Sequence, residues 1–325
     1  MGTDQDRRSQ DNLGRRLSAL HSAVAMPNKK KRSSYVHRLG PRSLSRKRAR
    51  IVTTFFHKLT RERAQVVALG LATTAIDQQL EDSRAAYQRA SQVSTSFHST
   101  SKWVLGCLGQ NGMLYGSKDD TNSGSEESDT TQPKKRRATR LLEVGAINTE
   151  LLDAAQPSNN RSKHRLHVRA IDIHSMHPER IEEADFLTMP LPAGDNEFYD
   201  VVVCSMVLNC VATPEDRGRM LARLYRSLRS QGGLLYLTIP KTCLQLSPFM
   251  DRSRFEALLT DIGFEVCQHE KDSPKIAYFV LSRTGKGKPD ASIDEKWGTN
   301  RKIHRGQKFK NDFAVVARCS FWDET

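Results

Sequence analysis

The sequence predicts an α/β fold: a Rossmann-like, mostly parallel, seven-stranded sheet with an antiparallel last strand, preceded by a helical N-terminal cap and a disordered basic arm. Three observations lead there. The run LLEVGAI (Leu141–Ile147) is apolar, of strand length, and ends in an acid and a glycine, as suits a strand buried on both faces and the turn after it. Strand-like and helix-like stretches then alternate to the end of the chain, the pattern of a sheet covered on both faces. Finally, FEVCQHE and KIAYFVLSR are separated by only KDSP, too short for a right-handed crossover, so these two strands must pair antiparallel.

Charge divides the chain at the start of that alternation. Residues 1–140 hold 26 Lys+Arg against 12 Asp+Glu, and residues 141–325 hold 25 of each. The whole excess of +14 thus precedes the core, as expected of an electrostatic arm for a polyanion such as nucleic acid. Residues 1–50 are rich in Arg, Lys, Ser and Gln and poor in large apolar side chains, so they are expected to stay disordered. NKKKR (Asn28–Arg32) and SRKRAR (Ser45–Arg50) are basic clusters that read as nuclear import signals or nucleic-acid patches. Six cysteines (Cys107, Cys204, Cys210, Cys243, Cys267, Cys319) show no CxxC pair or other metal-ligand spacing. Neither a zinc site nor a disulfide framework is expected, and the compartment should be reducing. No run approaches bilayer length and no secretory apolar core opens the chain, so a soluble intracellular protein without membrane contact is expected.

Residues 51–116 form the expected cap. Phe55, Phe56, Leu59, Val66, Val67, Leu69 and Leu71, then Ile76, Leu80 and Tyr87, recur at roughly helical spacing among Arg, Gln and Glu, with Gly70 dividing two helices. The pair can serve as a packing element or as a substrate-facing cap; Arg61, Arg63, Arg84 and Arg89 on its polar faces suit the second role. KWVLGCL (Lys102–Leu108) is a possible short helix in a loop-rich stretch, and residues 117–139 form a flexible polar insertion.

The core, residues 140–325, follows LLEVGAI with a weak helical segment to about Ala155 and a polar insertion, PSNNRSKH. RLHVRAIDIH is the second strand and carries Asp172 near its end. EEADFLTMPLP, with Asp185 and Phe186, precedes a long apolar strand, YDVVVCSMVLNCV (Tyr199–Val211). Helix signals fill Pro214 to Leu228, with proline in the first turn and Gly232 past the end. GGLLYLTIP is the fifth strand, and a helix from about Asp251 to Ile262 is capped by Asp251 or Ser253 and closed by Gly263. FEVCQHE, KIAYFVLSR and FAVVAR from Phe313 read as the last strands. A parallel sheet finished by an antiparallel strand is the shape of a class I, S-adenosylmethionine-dependent methyltransferase, with ligands at the carboxyl ends of the strands.

The turn after the first strand favours the same cofactor. A dinucleotide would require GxGxxG, because its pyrophosphate must meet bare backbone amides, whereas Gly145 is followed by Ala146, Ile147 and Asn148. A sulfonium cofactor carries no phosphate and tolerates one close-approach glycine. Glu143 is placed to face the cationic methionine end, Asp172 to accept hydrogen bonds from both ribose hydroxyls, and Asp185 with Phe186 to bind and pack the adenine. CSMVLN (Cys204–Asn209) ends the fourth strand, where N6-acting adenine methyltransferases carry an Asn/Asp-Pro-Pro-aromatic loop. None is present. Ser205, Met206 and Asn209 are expected to line the pocket, Ser205 and Asn209 as the catalytic-site pair.

With those residues in view, the chain resembles the fungal 25S ribosomal RNA adenine-N1 methyltransferase family. The carriers are AYQRAS (Ala86–Ser91) and SKWVL (Ser101–Leu105) before the core, then LLEVGAINT, RAIDIHS, ADFLTMPLP, FYDVVVCSMVLNCV and GFEVCQHEKDSPKIAYFVLSR. The family's Gly- and Asp-rich approach to the SK dipeptide reads VSTSFHST here, and its Pro-Cys-Val-Asn-Ser-like segment after strand five reads TCLQLSPF. The resemblance implies that Gly145 and Asp172 are cofactor-binding and that S-adenosyl-L-methionine is the cofactor. It also implies that large-subunit rRNA or a pre-ribosomal particle is the partner, during ribosome biogenesis in the nucleus and nucleolus. A monomer without metal is expected. Two other readings stay open: a catalytically silent Rossmann module acting as a nucleolar RNA-binding or ribosome-assembly factor, and methyl transfer to protein.

Overall fold

The computed structural model describes residues 45–97, 100–115, 137–156, 165–268 and 273–324. The arm up to residue 44 with its NKKKR cluster, residues 116–136 with most of the polar insertion expected over 117–139, and PSNNRSKH (157–164) lie outside the described residues; Thr139, at the expected end of that insertion, opens the first strand instead.

Two long helices open the described chain, α1 (Arg46–Ala68) and α2 (Thr74–Phe97). The first starts inside the segment expected to be arm. Ser45 stands at its N-cap, its hydroxyl accepting from the Arg48 N–H at 3.4 Å, and SRKRAR supplies helix-compatible Arg, Lys and Ala. Gly70, at φ +67°, breaks the chain between the two helices. They meet through Phe56, whose ring stacks on Tyr87 at 4.1 Å.

The next helix, α3 (Thr100–Gln110), contains KWVLGCL and is more central than a loop-borne turn. Val104 and Leu108 are fully buried against Leu141, Val201, Val203 and Tyr236, and Trp103 meets Tyr236 and Tyr278 edge-on at 5.3 and 4.8 Å. It therefore covers one face of the sheet.

That sheet has seven strands: β1 (Thr139–Val144), β2 (Leu166–Asp172), β3 (Glu182–Glu183), β4 (Val201–Ser205), β5 (Leu234–Pro240), β6 (Phe264–Gln268) and β7 (Ile276–Arg283). Their spatial order is β3-β2-β1-β4-β5-β7-β6. β1 to β5 run parallel, and β7 lies antiparallel between β5 and β6, the class I methyltransferase arrangement. Between β1 and β2 sits the short helix α4 (Glu150–Ala155). Order reverses between β1 and β4, so the ligand crevice expected of such sheets falls at their carboxyl ends.

The opposite face is packed by α5 (Pro214–Ser227) and α7 (Arg252–Ile262), with a single helical turn, α6 (Thr242–Gln245), after β5. α5 starts with proline, and its N-cap Thr213 accepts from the Asp216 N–H at 3.0 Å. Asp251 caps α7 at 2.8 Å from the Arg254 N–H, and Gly263 closes it in the left-handed region, φ +112°. Leu221, Leu224, Phe255, Leu258 and Ile262 are fully buried between these helices and the sheet.

FAVVAR is not a strand. Both sheet edges lie elsewhere, and Phe313–Ala317 instead runs as a buried strap over the start of α5. Its polar backbone is satisfied there: Arg217, 2% exposed, donates to the Ala314 carbonyl at 2.9 Å, and the Val316 N–H donates to Pro214 O. Gly218 makes the approach possible, since a Cβ at that position would sit 1.7 Å from Val316 O. Before the strap comes α8 (Ser292–Trp297), whose Trp297 is buried and donates through Nε1 to Asp261 of α7 at 2.7 Å.

Candidate cofactor and substrate site

Three strands deliver the site. β1 carries Glu143 and turns at Gly145, β2 ends in Asp172, and β4 ends in Ser205. The register pairs Glu143 with Ala170 on one side and with Val203 on the other, so the Glu143 backbone is central.

Glu143 is the most unusual group. One carboxylate oxygen, Oε2, is buried with no hydrogen-bond partner. Burial, with Glu150 adding, pushes its pKa from 4.5 up to about 8. A buried acceptor left unmatched normally costs about 1–3 kcal/mol. A cationic donor arriving at Oε2 would remove that cost, so the pocket has the chemistry to take an ammonium.

Gly145 takes φ +77°, closed to side-chain-bearing residues, and a Cβ would meet Val207 Cγ2 at 2.2 Å. The bare α-carbon therefore accommodates the turn after β4, and Val207 walls the crevice where a ligand was expected to approach. The N–H groups of Gly145 and Ala146 both donate to Ile171 O at 2.9 Å, which locks the turn to the end of β2. Asp172 there is raised to about 6 by burial, against the lowering bond from the His174 N–H at 2.8 Å. Ile173 beside it is 58% exposed.

Past β4 the chain strains to re-aim its side chains. Met206 adopts φ +60° and is held by its N–H to Thr238 O at 2.9 Å; such a residue persists only where its surroundings enforce it. Asn209 follows, with Nδ2 donating to Cys210 Sγ at 3.4 Å and Oδ1 buried without a partner. It offers a ready acceptor.

Three of the expected site residues are engaged by other partners. Phe186 is 2% exposed in the core, under the Arg223 guanidinium, whose Nε donates to the Phe186 carbonyl at 2.8 Å; its ring has no free face for an adenine. Ser205 Oγ bridges Thr100 and Thr238 hydroxyls at 2.8 and 2.9 Å, so it ties α3 to the end of β4. Asp185 is exposed and caps its own turn through the Leu187 N–H at 2.9 Å.

The cap adds residues to which the sequence assigned no chemical role. Tyr87 lies over the crevice: burial raises its pKa, with Cys210 and Asp172 both close enough to contribute. His57 Nε2 lies 3.1 Å from the Tyr87 hydroxyl. Burial, then Arg61, lowers His57 to about 4, so its ring is neutral at neutral pH. Gln88 donates to the His174 carbonyl at 3.3 Å. The second cap helix is thereby seated on the loop that follows Asp172.

Among the described residues no cluster of three or more His, Cys, Asp or Glu is placed to hold a metal, and no helix is long and apolar enough to cross a membrane.

Comparison with known proteins gives a family. The family model described as 25S rRNA (adenine(2142)-N(1))-methyltransferase, Bmt2, matches residues 74–315. A 25S rRNA (adenine(2142)-N(1))-methyltransferase of Saccharomyces cerevisiae is 28% identical over 169 residues, 52% of this chain and 47% of that protein. A 25S rRNA adenine-N(1) methyltransferase of Schizosaccharomyces pombe is 33% identical over 147 residues, 44% of this chain and 49% of that protein. The matched region thus spans about half the length of these curated relatives. Among solved structures, a magnesium protoporphyrin IX methyltransferase from Synechocystis, with bound SAM, aligns at 15% identity and TM-score 0.38 over 60% of this chain and 83% of its own.

Proposed function

We propose a function for a chain that belongs to the 25S rRNA (adenine(2142)-N(1))-methyltransferase family, Bmt2: S-adenosylmethionine-dependent methylation of adenine N1 in large-subunit rRNA. The observation that carries it is the orphaned, buried Glu143 carboxylate one strand away from Asp172, at the carboxyl ends of the reversed strands. Glu143 Oε2 would accept from the methionine ammonium, and Asp172 from the ribose hydroxyls. Ile173, apolar and exposed beside Asp172, would cover the adenine face in the role expected of Phe186.

When bound, S-adenosylmethionine supplies an electrophilic methyl on a positively charged sulfur. Adenine N1 carries a lone pair and essentially no proton near neutral pH, so the chain need supply no general base. Its task is to position and to exclude water, which can account for several powers of ten in rate. Asn209 Oδ1 would accept from the exocyclic amino group beside N1 and so distinguish adenine from guanine. Tyr87 and His57, held neutral, would roof the pocket without adding charge next to a cationic sulfur. Since N1 lies on the pairing edge, the target base must be unpaired and presented outside the stack.

The basic excess of residues 1–140 supports an RNA partner. Action on rRNA would locate the protein in the nucleus and nucleolus, on a pre-ribosomal particle, as a monomer. The test is incubation with unmodified large-subunit rRNA and methyl-labelled cofactor, followed by nucleoside mass spectrometry. Label in 1-methyladenosine is expected; label in N6-methyladenosine, in protein, or nowhere overturns the proposal.

A further inference from the structure

Resting on the RNA reading above, we propose that the exposed loop Arg301–Lys310, in the C-terminal part of the chain, is a folded RNA-backbone contact beside the mouth of the site. It would act independently of the N-terminal arm.

The charge there is local. Between Gly298 and Asn311 the chain carries Arg301, Lys302, Arg305, Lys308 and Lys310 and no Asp or Glu, which leaves the rest of residues 141–325 with 20 cations against 25 anions. All five are exposed. None makes an ion pair with a carboxylate among the described residues, whereas nearby cations such as Arg61, Arg252 and Lys296 do. Five unneutralised cations on so short a segment repel one another, and a polyanion relieves that repulsion by replacing its own counterions.

The loop is also held in place. Ile303 and His304 N–H groups both donate to Pro248 O, at 2.7 and 3.1 Å, and the Asn311 N–H donates to Leu246 O at 2.9 Å. His304 bonds Asp251 at 3.0 Å and stacks on Phe309 at 4.8 Å, while the Lys308 ammonium lies over the Phe309 ring. Ordering is thus prepaid before any ligand arrives, which favours affinity.

Its anchors lead to the site. Leu246 and Pro248 belong to the segment that follows β5, and Cys243 on that segment lies close enough to Cys210 to raise its thiol. Cys210 in turn meets Asn209 and Tyr87. Immediately after the loop, Asp312 pairs with Arg61 of α1 at 3.2 Å. The basic surface therefore borders both the crevice and the cap, where a strand delivering an extruded base would carry its phosphates.

The experiment compares the full chain with the triple variant Lys302→Gln, Arg305→Gln, Lys308→Gln. Binding of a single-stranded RNA with unpaired adenines is measured across a fourfold range of salt, with S-adenosylmethionine affinity as the control for folding. Each single-strand phosphate contact contributes about 0.7 to the slope of log K against log salt. The variant's slope should be shallower by about 2, so that wild type loses about 20-fold more affinity over that range, with cofactor affinity unchanged. Wild type that binds RNA with the same slope as the variant overturns this inference and leaves the proposed function standing. Wild type that binds neither RNA nor cofactor sinks the proposed function itself. If the variant instead loses binding to phosphatidylserine vesicles while RNA binding is intact, the occupant is a lipid surface and the inference is wrong.

Discussion

Replacing Glu143 with glutamine should change how stability depends on pH, and the structure gives the size. The buried carboxyl keeps its proton up to about pH 8 in the fold, while the unfolded chain releases it near 4.5. Its contribution is therefore fully present below 4.5 and is lost as pH climbs toward 8. At 1.36 kcal/mol per pH unit, the interval from 4.5 to 7 amounts to a ceiling of about 3 kcal/mol. Other groups titrate in the same range. Asp172, raised to about 6, loses stability with rising pH in the same direction, whereas His57, lowered to about 4, is stabilising above 6.5 and loses that contribution as pH falls. Subtracting the variant's profile from the wild type's cancels both. Urea unfolding followed by circular dichroism from pH 4.5 to 7 should show wild type falling by up to about 3 kcal/mol more than Glu143→Gln. The amide should also weaken cofactor binding, because, unlike the carboxyl, it cannot ionise when an ammonium arrives. Parallel stability profiles would refute the reasoning, since they would mean that Glu143 is already ionised and solvated in the fold.

Two further substitutions probe the strap and the substrate side. Gly218→Ala sets a methyl 1.7 Å from the Val316 carbonyl, and overpacking against backbone should cost about 1–3 kcal/mol. We expect a lower melting temperature and early proteolysis near residues 311–324, and an unchanged melting temperature would contradict the packing described. Asn209→Ala should leave cofactor affinity intact and slow methyl transfer about tenfold, the value of one lost neutral hydrogen bond; equal loss of both would place Asn209 on the cofactor instead.

Much of the fold was legible because its signals are local. Short apolar runs such as LLEV and VVVC suit strands buried on both faces, and the seven residues between β6 and β7 are too few for a crossover and force an antiparallel pair. Pro214 in a first turn, Asp251 at a cap and Gly263 past an end announced helix limits for the same reason. What failed depended on distant partners. FAVVAR has strand composition, yet Arg217 and Gly218, some 95 residues earlier, supply the hydrogen bonds and the clearance that a neighbouring strand would have provided. Phe186 adjoins a site-like acid in sequence, but Arg223 draws it into the core. Ser205 reads as a free hydroxyl until Thr100 and Thr238 arrive from other elements. Asn209 stood out only as a polar side chain in an apolar run; its unmatched carbonyl needed coordinates. Tyr87 and His57 carried no chemical signature of their own, because their place over the crevice is set by how two cap helices dock.

The most direct test of the account is calorimetric titration of S-adenosylmethionine into the full chain and into Asp172→Ala, with circular dichroism to show that both are folded. Two hydrogen bonds to a charged acceptor are worth about 3 kcal/mol or more, so the variant should bind about 100-fold more weakly or not at all. Equal affinity in the two proteins would mean that the cofactor does not sit at the ends of β1 and β2, and no binding to either would mean that it has no site in this chain.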